Sequence, residues 1–127
     1  MKINKFEDLE IWKMALRTVR LIYDITSRKP FSADFGLRDQ IRRAAISISS
    51  NIVEGFEKRN NNEFRRYLKI AKGSVGEVRN QLFISLAIKY INQEEFENIN
   101  NLLLELSSKI GSLINYLEKS KFLTHNT

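Results

Sequence analysis

A chain of 127 residues, 43% of them apolar, is long enough to bury one core and too short to build two comfortably. It has no cysteine, which excludes disulfides, thiolate nucleophiles and the usual zinc sites, and no apolar run approaches the roughly 18 residues of a membrane span. The net charge is +6, and the opening Met1-Lys2-Ile3-Asn4-Lys5 leads into Glu7, Asp8 and Glu10 rather than an apolar signal core, so a soluble cytoplasmic protein is expected.

One proline, five glycines and apolar residues recurring every three or four positions predict an all-α fold. The first helix is expected over about 8–27, with Asp8 as N-cap and Leu9, Trp12, Leu16, Val19 and Tyr23 along the core stripe. Pro30 restricts Lys29 and lacks a donor, so the helix stops near Ser27. A second helix, about 34–57, begins between Ala33 and Leu37 and turns Leu37, Ile41, Ala44, Ala45, Ile48, Ile52 and Phe56 inward. Asn60 with Glu63 has capping-box spacing and opens a third helix, about 61–90, carrying Phe64, Tyr67, Leu68, Ala71, Val75, Val78, Leu82 and Leu86. Asn92 with Glu95 repeats that signal before the fourth, about 93–118, with Phe96, Ile99, Leu103, Leu106, Ile110, Leu113 and Leu117. Short connections force long neighbours antiparallel, so residues 1–120 are expected to form an up-down-up-down four-helix bundle, with residues 121–127 a flexible C-terminal tail.

The chemistry such bundles can host is missing from the sequence. A carboxylate-bridged di-iron centre needs two Glu-x-x-His motifs, yet the one histidine is His125, in the tail, and a Ser-His-Asp triad fails for the same reason. No enzyme activity, cofactor or metal is expected. Gly73-Ser74-Val75-Gly76 spells the GxxG that clamps nucleic-acid backbones in KH loops, but here it lies inside a helical stripe, where close helix packing through small residues is the simpler account.

Charge is unevenly distributed. Residues 58–80 hold seven cations against Glu63 and Glu77, whereas residues 92–118 hold five glutamates against Lys109 alone. Arg65, Lys69, Lys72 and Arg79 share one side of the third helix, and Arg38 and Arg42 on the second add a short parallel row to the same expected basic surface. Two readings stand side by side: a solvated charged face, or a line of cations that releases counterions on meeting nucleic-acid phosphates. The acidic helix adds a third, in which the basic face meets a neighbouring subunit or an acidic protein. Gln40, Arg43, Asn51 and Glu54, with Ser47 and Ser50 among them, face Ser74 and Glu77 across the bundle and read as a hydrogen-bonded network that fixes register, or as a small polar pocket with Glu54 or Glu77 as acid or base. The small residues Ala44, Ala45, Ser47, Ser49 and Ser50 line more than one face of the second helix and open it to close approach from two sides, by its own bundle and by a second subunit, and Ile46, Val53, Ile70, Phe83 and Ile84 lie off the main stripes. Such surplus apolar surface points to a homo-oligomer, and unlike charged faces favour head-to-tail pairing.

Phe6-Glu7-Asp8-Leu9 with Trp12, then Gly36-Leu37, Gln40, Arg43-Ala44-Ala45, Ser47-Ile48, Asn51-Ile52, Glu54-Gly55, Phe64, Leu68, Ala71, Gly73-Ser74 and Glu77 together resemble the four-helix-bundle proteins encoded within 23S rRNA intervening sequences. The likeness runs over about residues 6–118, with Val53 and Ser49 standing where the family often has alanine and proline. The resemblance implies a homopentamer with a central channel, as in the related accessory proteins of diversity-generating retroelements. Through those relatives it further implies RNA or DNA, and a reverse transcriptase, as partners of a basic surface. It implies no enzyme activity.

Overall fold

A computed structural model describes residues 3–119; the tail expected over 121–127 lies outside the described residues. A 3-10 turn at Phe6–Asp8 leads into helix α1 (Glu10–Thr26), and a second turn at Phe31–Ala33 into α2 (Phe35–Glu57); α3 (Asn61–Ala87) and α4 (Gln93–Lys119) follow. The pairing of heights along the helices fixes their directions. Thr26 meets Arg42, Ser47 meets Ser74, Arg79 meets Asn100, and Asn61 meets the carbonyl of Leu117. Each helix therefore runs against the one before it. Packing follows the order α1–α2–α3–α4 and closes with α4 on α1, so α1 and α3 occupy opposite corners. No helix among the described residues is long and apolar enough to cross a membrane.

The caps explain most of the boundaries. Asp34 accepts from the Leu37 amide at 3.2 Å and starts α2, and Asn60 accepts from the Glu63 amide at 3.0 Å. At α4 the box is reciprocal: Glu95 N–H donates to Asn92 Oδ1 at 2.8 Å and Asn92 N–H to Glu95 Oε1 at 2.9 Å. Helix α3 stops at Ala87, three residues short of expectation, in a Schellman turn. Tyr90 N–H reaches Ser85 O and Lys89 N–H reaches Leu86 O, with Lys89 itself left-handed at φ 67°. Asp8 does not cap α1. It ends the preceding turn, Leu9 takes the cap position without a side-chain bond, and the turn sets the Phe6 ring edge-on to Trp12 at 5.3 Å.

One hydrophobic core threads all four helices, with Ile22, Ile41, Ile48, Ile52, Phe56, Phe64, Leu68, Leu82, Leu103, Leu106 and Ile110 fully buried. Gly55 sets the α2–α3 distance: a Cβ there would stand 2.6 Å from Tyr67 Cβ. The stripe expected on α1 is corrected. Its buried face is Ile11, Ala15, Thr18, Ile22 and Ile25, whereas Leu16 and Tyr23 are exposed and Trp12 and Val19 half-buried. The helix carries two apolar stripes, and the bundle takes the one whose small Ala15 and self-bonded Thr18 permit close packing.

Candidate nucleic-acid interface

The six cations expected at this surface fall into two groups on different sides of the bundle. Arg65, Lys69, Lys72 and Arg79 follow helical spacing on the flank of α3 that adjoins α4. Arg79 Nε donates to Asn100 Oδ1 at 2.8 Å, and Lys72 Cε lies 3.4 Å from where a Cβ on Gly111 would stand. Gly111 and Asn100, which sequence reasoning did not single out, thus shape the far wall of this row. Arg65 is half-buried, and its Nε is shielded from solvent without a hydrogen-bond partner. Among the described residues the ion pairs are Arg28–Glu95, Arg38–Asp39, Arg66–Glu63 and Lys109–Glu10, so none of the four α3 cations has a carboxylate opposite it.

Arg42 sits instead against the end of α1 and Arg38 against the turn that leads into α2, and both are engaged within the chain. Arg42 donates to Thr26 Oγ1 at 2.8 Å and Ser27 Oγ at 3.2 Å while its guanidinium lies 4.2 Å from the Tyr23 ring centre. Arg38 binds Asp39 at 2.8 Å and the Ser32 carbonyl at 3.1 Å and stacks over Phe35. The Arg38 guanidinium holds the Asp39 carboxyl below the usual carboxylate range. They do not extend the α3 row. Spacing placed them on one helix correctly, but helix spacing alone carries no information on which neighbour that face meets.

The expected polar network is smaller than the sequence pattern. Ser47 and Ser74 share a hydrogen bond of 2.9 Å, and Asn51 Nδ2 donates to Ser47 O at 2.8 Å and Ser47 Oγ at 3.0 Å. Gln40, Arg43, Glu54 and Glu77 are exposed and stand outside this set. The Ser47–Ser74 bond ties α2 to α3 midway along the bundle, a register role. Gly73 and Gly76 make no close packing within the bundle: a Cβ at either would meet nothing within 4 Å. On the other side of the molecule, Phe6, Trp12, Leu16, Ser49, Ser50, Val53, Glu54 and Glu57 line an open groove of about 760 Å³ between α1 and α2.

This arrangement of capped helices and α2–α3 motif residues coincides with a family model described as 23S rRNA-intervening sequence protein, which matches residues 7–112. The chain belongs to that family. A solved structure from Bacteroides thetaiotaomicron, described as a protein with unknown function from the S23 ribosomal protein family, is similar: 26% identical, TM-score 0.75, over 83% of this chain and 95% of that one. No curated protein matches the chain. Neither the family description nor that of the similar structure carries a catalytic assignment.

Proposed function

We propose that the protein is a non-enzymatic, homo-oligomeric cytoplasmic scaffold that binds nucleic-acid phosphates, without strong sequence preference, through the α3 cations facing α4. The observation that carries this reading is that Arg65, Lys69, Lys72 and Arg79 line one rigid flank with no carboxylate opposite any of them among the described residues. Guanidinium and ammonium groups that lack a carboxylate partner keep donors free for other acceptors. Phosphate oxygens supply such acceptors, and a row of cations gains further from released counterions. The family's tie to 23S rRNA insertions makes RNA the first nucleic acid to try.

Binding of a labelled RNA hairpin and a DNA duplex, followed by fluorescence anisotropy, tests this. Reversing Arg65, Lys69 and Lys72 to glutamate should abolish binding while leaving the helical signal and the solution mass unchanged. Unchanged affinity in that variant ends the proposal.

A second reading has its own observation. Glu94 and Glu105 on α4 are exposed and outside the ion pairs of the described residues, so an acidic protein face, or the α4 of another copy, could meet the basic flank. In that case the same triple reversal changes the solution mass, which light scattering at low and high salt reads directly.

A further inference from the structure

Two outer surfaces of the bundle remain without a partner. The first is the α1–α2 groove, lined by the small Ser49 and Ser50 together with Trp12, Leu16 and Val53. Leu16 is 45% exposed although it sits on a helix stripe as regular as the core. The second is the outer face of α3, where Ile70, Gly73, Glu77, Asn80 and Ile84 recur at alternating spacings of three and four, the pattern of a helix-packing seam. Ile70 and Ile84 are exposed, and Gly73 and Gly76 leave the face between them flat and open. Glycine inside an exposed helix weakens it relative to alanine, so these two are unfavourable for the isolated bundle.

We infer that the two surfaces are halves of one heterologous contact, in which the outer seam of α3 lies in the α1–α2 groove of a second copy. The inference rests on the self-association part of the function proposed above and names the faces that would meet. Heights along the bundle supply the argument. Within one chain Ser47 is level with Ser74, and Gly55 with Phe64 and Tyr67. When identical bundles stand side by side with parallel axes, as in a closed ring, residues at equal heights meet. Arg66, which reaches Glu63 of its own chain at 3.0 Å, then comes level with Glu54 and Glu57, and Gly73 with Ser49. Further along, the exposed Glu77 comes level with the exposed Arg43, and Ile84 with Phe35, which is 64% exposed. Cation meets carboxylate, small meets small, carboxylate meets cation and apolar meets apolar, in register along the seam. Lys58, the one cation lining the groove, leans 5.8 Å from the Tyr67 ring of its own chain and leaves the groove rim acidic. The Arg65, Lys72 and Arg79 row lies on the other flank of α3 and stays open in such an assembly.

The absence of native cysteine makes the contact directly testable, because introduced thiols are the only ones present. The full chain carrying both Leu16→Cys and Gly73→Cys should form a ladder of covalent multimers under mild oxidation. Since α1 and α3 occupy opposite corners of one bundle, such links must join different copies. Each single variant should run as one chain. Sedimentation of the cysteine-free protein should show a multimer, and Gly73→Leu with Gly76→Leu should reduce it to monomer without lowering the melting temperature. A monomeric native protein overturns the inference, as does a multimer whose double variant gives no ladder. So does self-linking of Gly73→Cys alone, the mark of a symmetric α3–α3 contact. Arg65→Glu with Lys72→Glu added to the double-cysteine chain should leave the ladder intact whatever it does to nucleic-acid binding; loss of the ladder would place the basic row inside the contact and overturn the assignment of faces.

Discussion

The α1–α2 edge and the α3–α4 edge both carry arginines at helical spacing, yet they are different surfaces. At the first, Arg38 and Arg42 are consumed by Asp39, Ser32, Thr26 and Ser27 and by the rings of Phe35 and Tyr23. At the second, Arg65, Lys69 and Lys72 keep their charge unmatched, and Arg79 spends only Nε, on a neutral amide. A guanidinium already bonded to its own chain stabilises the fold, and one without a partner is available to a polyanion. Counting cations on a helix does not separate the two cases.

Glycine substitutions sharpen the contrast between inner and outer surfaces most strongly. Gly55→Ala forces a Cβ against Tyr67 and Phe64 and should destabilise the fold by about 1–3 kcal/mol, measured by urea denaturation. Gly76→Ala meets open space inside a helix and should stabilise the dissociated chain by up to about 1 kcal/mol. Equal signs for the two would break the distinction.

The arginines give the next effect. Arg42→Ala removes two hydrogen bonds and a ring contact and should cost about 1–2 kcal/mol, with nucleic-acid affinity unchanged. Lys72→Ala should do the reverse, lowering affinity and leaving stability within about 0.5 kcal/mol.

A smaller effect concerns acid. Burial raises the Glu95 pKa, but the Asn92 amide and the Arg28 guanidinium outweigh it and leave the carboxyl below its ordinary value. The unfolded chain therefore binds that proton first as pH falls. The stabilisation is complete above the ordinary carboxylate range and is lost as pH drops through the folded value. Glu95→Gln should flatten the acid limb of the stability–pH curve, and an unchanged limb would remove Glu95 from the account.

How legible each region was follows from what fixed it. Helices α2, α3 and α4 could be read because their limits are local: Asn60 and Asn92 cap through bonds three residues away, and the stripes of Ile41, Ile48, Leu68, Leu82, Leu103 and Ile110 have no competitor. Helix α1 could not, because its larger stripe of Trp12, Leu16 and Tyr23 competes with Ile11, Ala15, Ile22 and Ile25, and close approach to the other helices decided in favour of the smaller. Helix α3 ends three residues before its apolar pattern does because Lys89 takes a left-handed conformation that usually announces itself as glycine. At the candidate site, spacing gathered Arg65, Lys69, Lys72 and Arg79 on one flank. It could not show that Arg42 meets the end of α1 and Arg38 the turn before α2, since that depends on the handed arrangement of neighbours and not on periodicity.

The salt dependence of affinity tests the central claim most directly. Association constants for a labelled RNA or duplex measured across a salt series should fall linearly on logarithmic axes, by about 0.7–0.9 in slope for each phosphate neutralised. The slope should shrink by about that amount for each of Arg65, Lys69, Lys72 and Arg79 replaced by alanine, and stay constant for Arg38→Ala or Arg42→Ala. A flat salt series, or a slope indifferent to the α3 replacements, would contradict the claim that this flank binds phosphates.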